Sequence, residues 1–327
     1  MKKRHLLLVG LIAATALFAT GCNQDSQPTN SDEFTIGVAV IVSHPALQAV
    51  QDGFEEVLQE AGLNYKLIEE NAQGEQANAA TIASTFAADQ SIDLILAIST
   101  PIALAIASAE QDRPILFSAV TDPVRDGLVP SWEEAGSNIT GTSDLSPGAA
   151  PVHLVAEAMP GVKTIGVLYS SSESNSLAQV EAFQEEAAEL GITIKPQAVT
   201  SAAEISVGLE TLADVDAILV PTDNTVVASV ASVIGFGQEH QIPVFSVDPS
   251  NVAMGTVAAR GLSYHDLGRR TGEMAVSILT GQLTLAQCPP EAPPAAELSV
   301  NLEAAASFGL TLPDDFVARA IIVTTDQ

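Results

Sequence analysis

Lysine and arginine are scarce in this chain: 12 stand against 40 aspartates and glutamates, a formal net charge of −28. Lys2, Lys3 and Arg4 sit at the extreme N-terminus, so the rest of the chain is poorer still in positive charge. No basic stripe can track a phosphate backbone, which excludes nucleic acid as a partner. The same imbalance opposes adhesion to anionic lipid by charge alone. Cysteine is nearly absent, with only Cys22 and Cys288. Cys288 lies in CPPEAPP with no base nearby in sequence and reads as an inert thiol. Aromatics make up 4% of the chain, so core packing is the default for Trp132, Tyr169, Tyr264 and most phenylalanines. No GxSxG elbow, Walker A loop or GxGxxG fingerprint occurs. His44, His153, His240 and His265 have no metal-type spacing, although His44 could sit in a cleft. The expectation is a protein without catalysis, cofactor or metal.

What is present begins at the N-terminus. A basic start is followed by an apolar run from Leu6 to Ala19, too short to span a bilayer comfortably, and by small residues before Cys22. Ala19-Thr20-Gly21-Cys22 resembles a bacterial lipobox, whose cysteine is acylated and becomes the mature N-terminus; the competing reading is an ordinary cleaved signal with an incidental cysteine. An acylated Cys22 would leave no partner for an intramolecular disulfide. Residues 23–33, NQDSQPTNSDE, are polar and aperiodic, as in a flexible tether. The folded body is therefore expected outside the cytoplasmic membrane, anchored to it by lipid.

From Phe34 onward, short β-branched runs alternate with Ala-rich helical stretches, the pattern of a parallel sheet covered by helices. Strands are predicted at 35–42, 65–69, 93–98, 114–120 and 139–143, and again at 164–169, 192–199, 216–220, 243–247 and 256–259. The two sets repeat each other. Ile36-Gly37-Val38 recurs as Ile165-Gly166-Val167, Asp93-Leu94-Ile95-Leu96 as Asp216-Ala217-Ile218-Leu219, and Pro114-Ile115-Leu116-Phe117 as Pro243-Val244-Phe245. The fold class expected is α/β, with two similar doubly wound parallel-sheet lobes joined by a hinge. Residues 34–144 and 257–292 are assigned to the first lobe and 145–256 and 293–327 to the second. Tyr264 to Leu279 reads as a helix and Glu303 to Phe308 as a short one.

In such sheets ligands collect beyond the carboxyl ends of the strands, at loops running into helix N-termini. The loops there carry Ser43, His44, Pro45 and Leu47; Ser99, Thr100 and Pro101; Thr121 and Asp122; Asn175 and Ser176; Asp223 and Asn224; and Asp248. Each of these residue types is also an ordinary helix cap or first-turn residue, so any one alone is ambiguous. None of the loops holds lysine or arginine, which disfavours a polyphosphate or dicarboxylate ligand. One carboxylate can rest on backbone N–H groups, and Asp122, Asp223 and Asp248 could meet an ammonium. A zwitterionic amino acid fits this inventory better than a sugar.

The blocks IGVAVIVSHPALQAVQDGF, DLILAISTPIALA, FSAVTDPV, NITGTSDL, IGVLYSSSESNS, VPTDNTVVAS, PVFSVDPSNVAMG and LGRRTGEMAVSIL together resemble the ABC-transporter substrate-binding family that includes tryptophan- and tyrosine-binding lipoproteins. The resemblance implies a type I periplasmic-binding-protein-like fold, with a ligand enclosed by hinge closure. It implies contacts at Ser43 to Leu47, Ser99 to Pro101, Thr121 to Pro123, Asn175 to Ser176, Asp223 to Asn224, and Asp248. The partners it implies are a small-molecule ligand, an amino acid and possibly an aromatic one, and an ABC permease with its ATPase. A sensory lipoprotein binding the same solute, or a binder of a sugar or other small solute, stays open as an alternative.

Overall fold

The computed structural model describes residues 33–145, 150–292 and 297–325. The leader, Cys22 and nearly all of the tether lie outside the described residues. In the body, the first sheet is built from β1 (Phe34–Val40), β2 (Tyr65–Asn71), β3 (Leu94–Ile98), β4 (Ile115–Ser118) and β5 (Ile139–Thr142), with α1 (Pro45–Glu60), α2 (Gln76–Ala88) and α3 (Thr100–Ala109) as crossovers. The chain continues through α4 (Pro151–Ala158), β6 (Thr164–Ser170), α5 (Ser174–Leu190), β7 (Thr193–Val199), α6 (Ile205–Glu210) and β8 (Ala217–Val220). Next come α7 (Asn224–Val227), α8 (Val230–His240), β9 (Val244–Ser246), α9 (Ser250–Met254), β10 (Ala258–Gly261) and α10 (Tyr264–Leu279). The C-terminal part holds β11 (Glu297–Val300), α11 (Leu302–Ser307), α12 (Asp314–Val317) and β12 (Ile321–Ile322).

The five-stranded sheet is parallel throughout, in the order β2-β1-β3-β4-β5. The second runs β12-β11-β10-β9-β8-β6-β7, so β7-β6-β8-β9-β10 repeats the first order strand for strand. All its pairings are parallel except β10 with β11. The sequence repeat is therefore a repeat of topology. Each sheet has its own apolar core, one centred on Phe54, Leu96 and Phe117, the other on Leu168, Leu219 and Phe245. Central strands such as β3 and β8 are buried along their whole length, which is why they read as unbroken apolar runs.

One boundary differs from the sequence expectation. The division at residue 257 gives β10 to the first lobe, yet β10 completes the second sheet, pairing Ala259 with Ser246 and Ala258 with Val300. The chain returns to the first sheet only after Gly261. There α10 lies along α1 at very close range: a Cβ on Gly268 would stand 1.9 Å from the Val50 carbonyl oxygen, and one on Gly53 2.1 Å from that of His265. Only glycine permits that approach. A buried hydroxyl triangle then fastens α10 to β4 and β5, with Ser118 to Thr142 at 3.0 Å, Thr142 to Thr271 at 2.7 Å and Thr271 to Ser118 at 2.9 Å. Cys288 is buried beside this sheet, its carbonyl accepting from the Thr140 hydroxyl at 2.6 Å, and burial pushes its thiol pKa up.

Candidate functional site

Loops from the carboxyl ends of both sheets line one cleft, and the strand order of each sheet reverses there, at β1/β3 and at β6/β8, the switch point where such sheets bind ligands. Between them lies a small cavity of about 20 Å³. From the first sheet it receives His44 and Leu47 after β1, Ala119 and Thr121 after β4, and Asp144 after β5. The second sheet sends Asn175 after β6, Thr222, Asp223, Asn224 and Val227 after β8, and Asp248 after β9. Tyr264, the first residue of α10, completes the lining.

Seven of the residues expected from sequence line this cavity: His44, Leu47, Thr121, Asn175, Asp223, Asn224 and Asp248. The other seven lie around it. Ser43 is exposed and accepts from Asn71 at 2.7 Å, and Pro45 is exposed at the start of α1. Ser99, Thr100 and Pro101 are buried in the floor behind the cavity, where the Thr100 hydroxyl accepts from the Thr121 N–H at 3.3 Å. Asp122 accepts from the Arg125 N–H at 3.0 Å, and Ser176 is fully buried. Ala119, Asp144, Thr222 and Val227 line the cavity without having been expected there from the sequence, and Tyr264, for which core packing was the default, lines it as well.

Hydrogen-bond accounting separates structural carboxylates from an available one. Asp223 caps α7 by accepting from the Val226 N–H at 2.8 Å and also takes the Ser170 N–H at 2.5 Å. Asp248 accepts from both the N–H and the hydroxyl of Ser250 at 2.8 Å. Glu173, 3% exposed, receives Asn175, both nitrogens of Asn224, and the N–H and hydroxyl of Thr225 at 2.6 to 3.3 Å. The three aspartates expected to meet an ammonium, Asp122, Asp223 and Asp248, thus hold their own turns. Asp144 differs: its Oδ2 accepts the Tyr264 hydroxyl at 3.0 Å, while Oδ1 is buried with no hydrogen-bond partner among the described residues.

Electrostatics agree with this division. Burial raises the Asp144 carboxyl pKa; the Thr121 hydroxyl, which approaches the carboxylate without closing a bond of ordinary geometry, and the Tyr264 hydroxyl on Oδ2 offset part of that rise. Asp248 is pushed up to about 6 by burial, and Asp223 is raised by burial and by the charge of Glu173. The Tyr264 hydroxyl is driven well above its usual range by burial and by Asp144 and Asp248. His44 is lowered to about 4 by burial; Asn224 approaches the ring without closing a bond of ordinary geometry, and neither ring nitrogen has a partner among the described residues. His44 is therefore neutral at pH 7 and offers one donor and one acceptor to the cleft.

Two further features mark the floor of the site. Ser99 and Ala119, at the ends of β3 and β4, both adopt positive φ, +93° and +57°, in a region non-glycine residues seldom occupy. Such conformations concentrate at binding sites held by the surrounding fold. Among the described residues the Ser99 hydroxyl is buried without a partner, and α1 has its N-cap at His44 without a side-chain cap hydrogen bond, leaving its first N–H groups open. The two halves touch directly: the Thr121 and Thr222 hydroxyls lie 3.4 Å apart, and Arg125 pairs with Glu181 at 2.8 Å on the rim.

A two-sheet body with its polar residues gathered in an interlobe cleft is the build of periplasmic binding proteins, and distant members of that class share the fold. The chain belongs to the ABC transporter substrate binding protein family, whose pattern matches residues 35–324. It is similar to a tyrosine-binding protein of Clostridioides difficile, 35% identical over 291 residues that make up 85% of this chain and 84% of that one. A Streptococcus pneumonia ABC domain in complex with L-Trp superposes with a TM-score of 0.85 at 35% identity, covering 89% of this chain and 100% of that one. The ligand-free, open structure of an adhesive substrate binding protein from Clostridium difficile is 37% identical over 90% of this chain and 100% of that one, with a TM-score of 0.65.

Proposed function

We propose that this protein is the extracytoplasmic, lipid-anchored receptor of an ABC importer and that it captures an amino acid by closing its two lobes around it. One observation carries the amino-acid reading: the buried Oδ1 of Asp144, unpaired among the described residues, in a cleft cavity that no lysine or arginine among them lines. A buried carboxylate oxygen without a donor costs free energy that a ligand ammonium recovers. The ligand carboxylate is received by the open first turn of α1 and by the neutral His44 ring, the arrangement that suits a single negative charge at a helix N-terminus. The relatives that carry tyrosine or L-Trp in their names support the same class of ligand.

Closure is supported by two comparisons at nearly equal identity. The chain resembles the L-Trp complex far more than the ligand-free, open relative, 0.85 against 0.65 in TM-score. The contacts Thr121–Thr222 and Arg125–Glu181 belong to a closed cleft. Binding then acts as a population shift, in which contacts from both lobes favour the closed state that a permease accepts. Cys22 supplies the lipid anchor in this reading.

A thermal-shift screen of the chain from Asn23 against the twenty amino acids, common sugars and polyamines tests the proposal. A specific ligand at 100 times its dissociation constant stabilises the fold by about 2.7 kcal/mol. Stabilisation confined to amino acids supports the reading; stabilisation only by sugars or polyamines, or by nothing, removes it. Incorporation of labelled fatty acid, abolished by Cys22→Ala, tests the anchor.

A further inference from the structure

Glu173, the residue before α5, is 3% exposed and stands behind the wall of the central cavity. Its Oε1 accepts the N–H and the hydroxyl of Thr225 at 3.0 and 2.8 Å. Its Oε2 accepts the Asn224 N–H at 3.0 Å, the Asn224 side-chain NH₂ at 2.6 Å and the Asn175 side-chain NH₂ at 3.3 Å. One oxygen thus holds amide groups from two loops, the one after β6 and the one after β8. Both asparagines line the cavity.

An ionised carboxylate only accepts, so it decides which end of each amide turns toward it. With the NH₂ drawn to Oε2, the carbonyl oxygen lies on the other arm of the planar group. For Asn175 the NH₂ is held a second time by the Thr222 carbonyl at 2.7 Å, and Oδ1 is buried without a partner among the described residues. At His44, against the fall that burial causes, Asn224 raises the ring pKa from across the cleft, as an oxygen facing a ring N–H does. Both asparagines therefore turn oxygen, not NH₂, to the cavity. Asp144 Oδ1 is a third acceptor on the same cavity, also without a partner among the described residues. Three acceptors match the three N–H donors of a primary ammonium. A cavity of about 20 Å³, close to the roughly 10–15 Å³ that admits one water, has room for that group and none for an added methyl.

We propose that Glu173 is a positioning residue: it keeps the Asn175 and Asn224 oxygens turned to the cavity, and through them the cleft selects a primary ammonium over a methylated one. The inference rests on the amino-acid reading above and extends it to a side chain that does not touch the ligand. Without the carboxylate either amide is free to turn over, and an inward NH₂ would meet the ammonium donor to donor.

The test is calorimetric titration of L-tryptophan, L-tyrosine and their N-methyl derivatives into the chain from Asn23, each protein held below its melting transition. The wild type is expected to prefer the unmethylated amino acids at least tenfold. Glu173→Gln is expected to weaken them at least tenfold and to narrow the preference to less than threefold. Adding Asn224→Asp to Glu173→Gln gives the new NH₂ a carboxylate to donate to and returns an oxygen to the cavity, so affinity and preference should recover to within about fivefold of the wild type. A Glu173→Gln protein that melts lower but binds with unchanged affinity and preference is the mark of a purely structural carboxylate and overturns the proposal. So does an equal loss for methylated and unmethylated ligands, or a double variant that recovers nothing. Should Glu173→Gln fail to fold, Asn224→Ala decides, because it removes one inward oxygen and leaves Glu173 four of its five donors: a loss below threefold overturns the proposal, and a loss of tenfold or more supports it. In each of these failures the amino-acid reading stands. A wild type that binds no amino acid overturns both.

Discussion

The hydroxyl groups of Thr121 and Thr222 meet across the cleft at 3.4 Å, joining the loop after β4 of one sheet to the loop after β8 of the other. This bond exists only when the lobes are together, so it belongs to closure and not to the folding of either half. Thr121→Val keeps the shape and removes the hydroxyl. The expected result is an affinity lower by about two- to tenfold, the worth of one neutral hydrogen bond, with the melting temperature of the free protein unchanged. Calorimetry and thermal denaturation together check it. The exposed Arg125–Glu181 pair on the rim contributes less, and Arg125→Ala is expected to change affinity by less than about threefold, an effect that shrinks further in high salt.

Asp144→Asn tests the ammonium contact. The substitution is nearly isosteric, keeps an acceptor for Tyr264 and removes a buried charge whose Oδ1 has no partner. Amino-acid affinity should fall by about ten- to a hundredfold, the range of a hydrogen bond to a charged group, while the free protein melts at the same or a higher temperature. An unaltered affinity, or a collapse of the free fold, would contradict the role given to Asp144.

Acidity should move stability and affinity in opposite directions. Asp248 is pushed up to about 6, and Asp144 and Asp223 are also raised, so the folded protein keeps protons that the unfolded chain releases from about pH 4 upward. Their contribution is complete at low pH and is lost as pH rises through the raised folded-state values, for Asp248 through about 6. His44, lowered to about 4, works the other way, because below about pH 6.5 the unfolded chain takes up a proton that the folded one refuses. Three carboxyl groups outweigh one imidazole. The free protein is expected to be more stable at pH 5 than at pH 7, while amino-acid affinity is lower at pH 5, because the ammonium needs Asp144 ionised. Melting curves and calorimetry at the two values check both signs.

Glu173 is a structural carboxylate, with both oxygens filled by Asn175, Asn224 and Thr225. Glu173→Gln replaces one acceptor by an NH₂ group that faces N–H donors. A loss of about 1–3 kcal/mol in stability is expected, measurable by urea denaturation.

The sequence carried the architecture further than the site. Each predicted strand has its counterpart, and Tyr264–Leu279 is helical over the expected span, because period and punctuation are local signals. The strand at 256–259 was counted with the second set, as the structure has it, but the lobe division at 257 cut across it, since where the chain crosses between sheets depends on partners far along the chain, here Ser246 and Val300. The aspartates illustrate a second limit. Asp223 and Asp248 look alike in sequence whether they cap a turn or hold an ammonium, and only their hydrogen bonds show that they cap. Asp144 lies after β5, in a loop that was not among those singled out in the sequence, and so passed unnoticed. Tyr264 was undecided between core and pocket and is both, buried in the first core and lining the cleft.

The most direct test of the account is calorimetric titration of L-tryptophan and L-tyrosine into the chain from Asn23 at pH 7, with Asp144→Asn measured alongside. The account predicts saturable one-to-one binding of at least one of them to the wild type, weakened at least tenfold in the variant. Binding that is absent, or indifferent to Asp144→Asn, would contradict it.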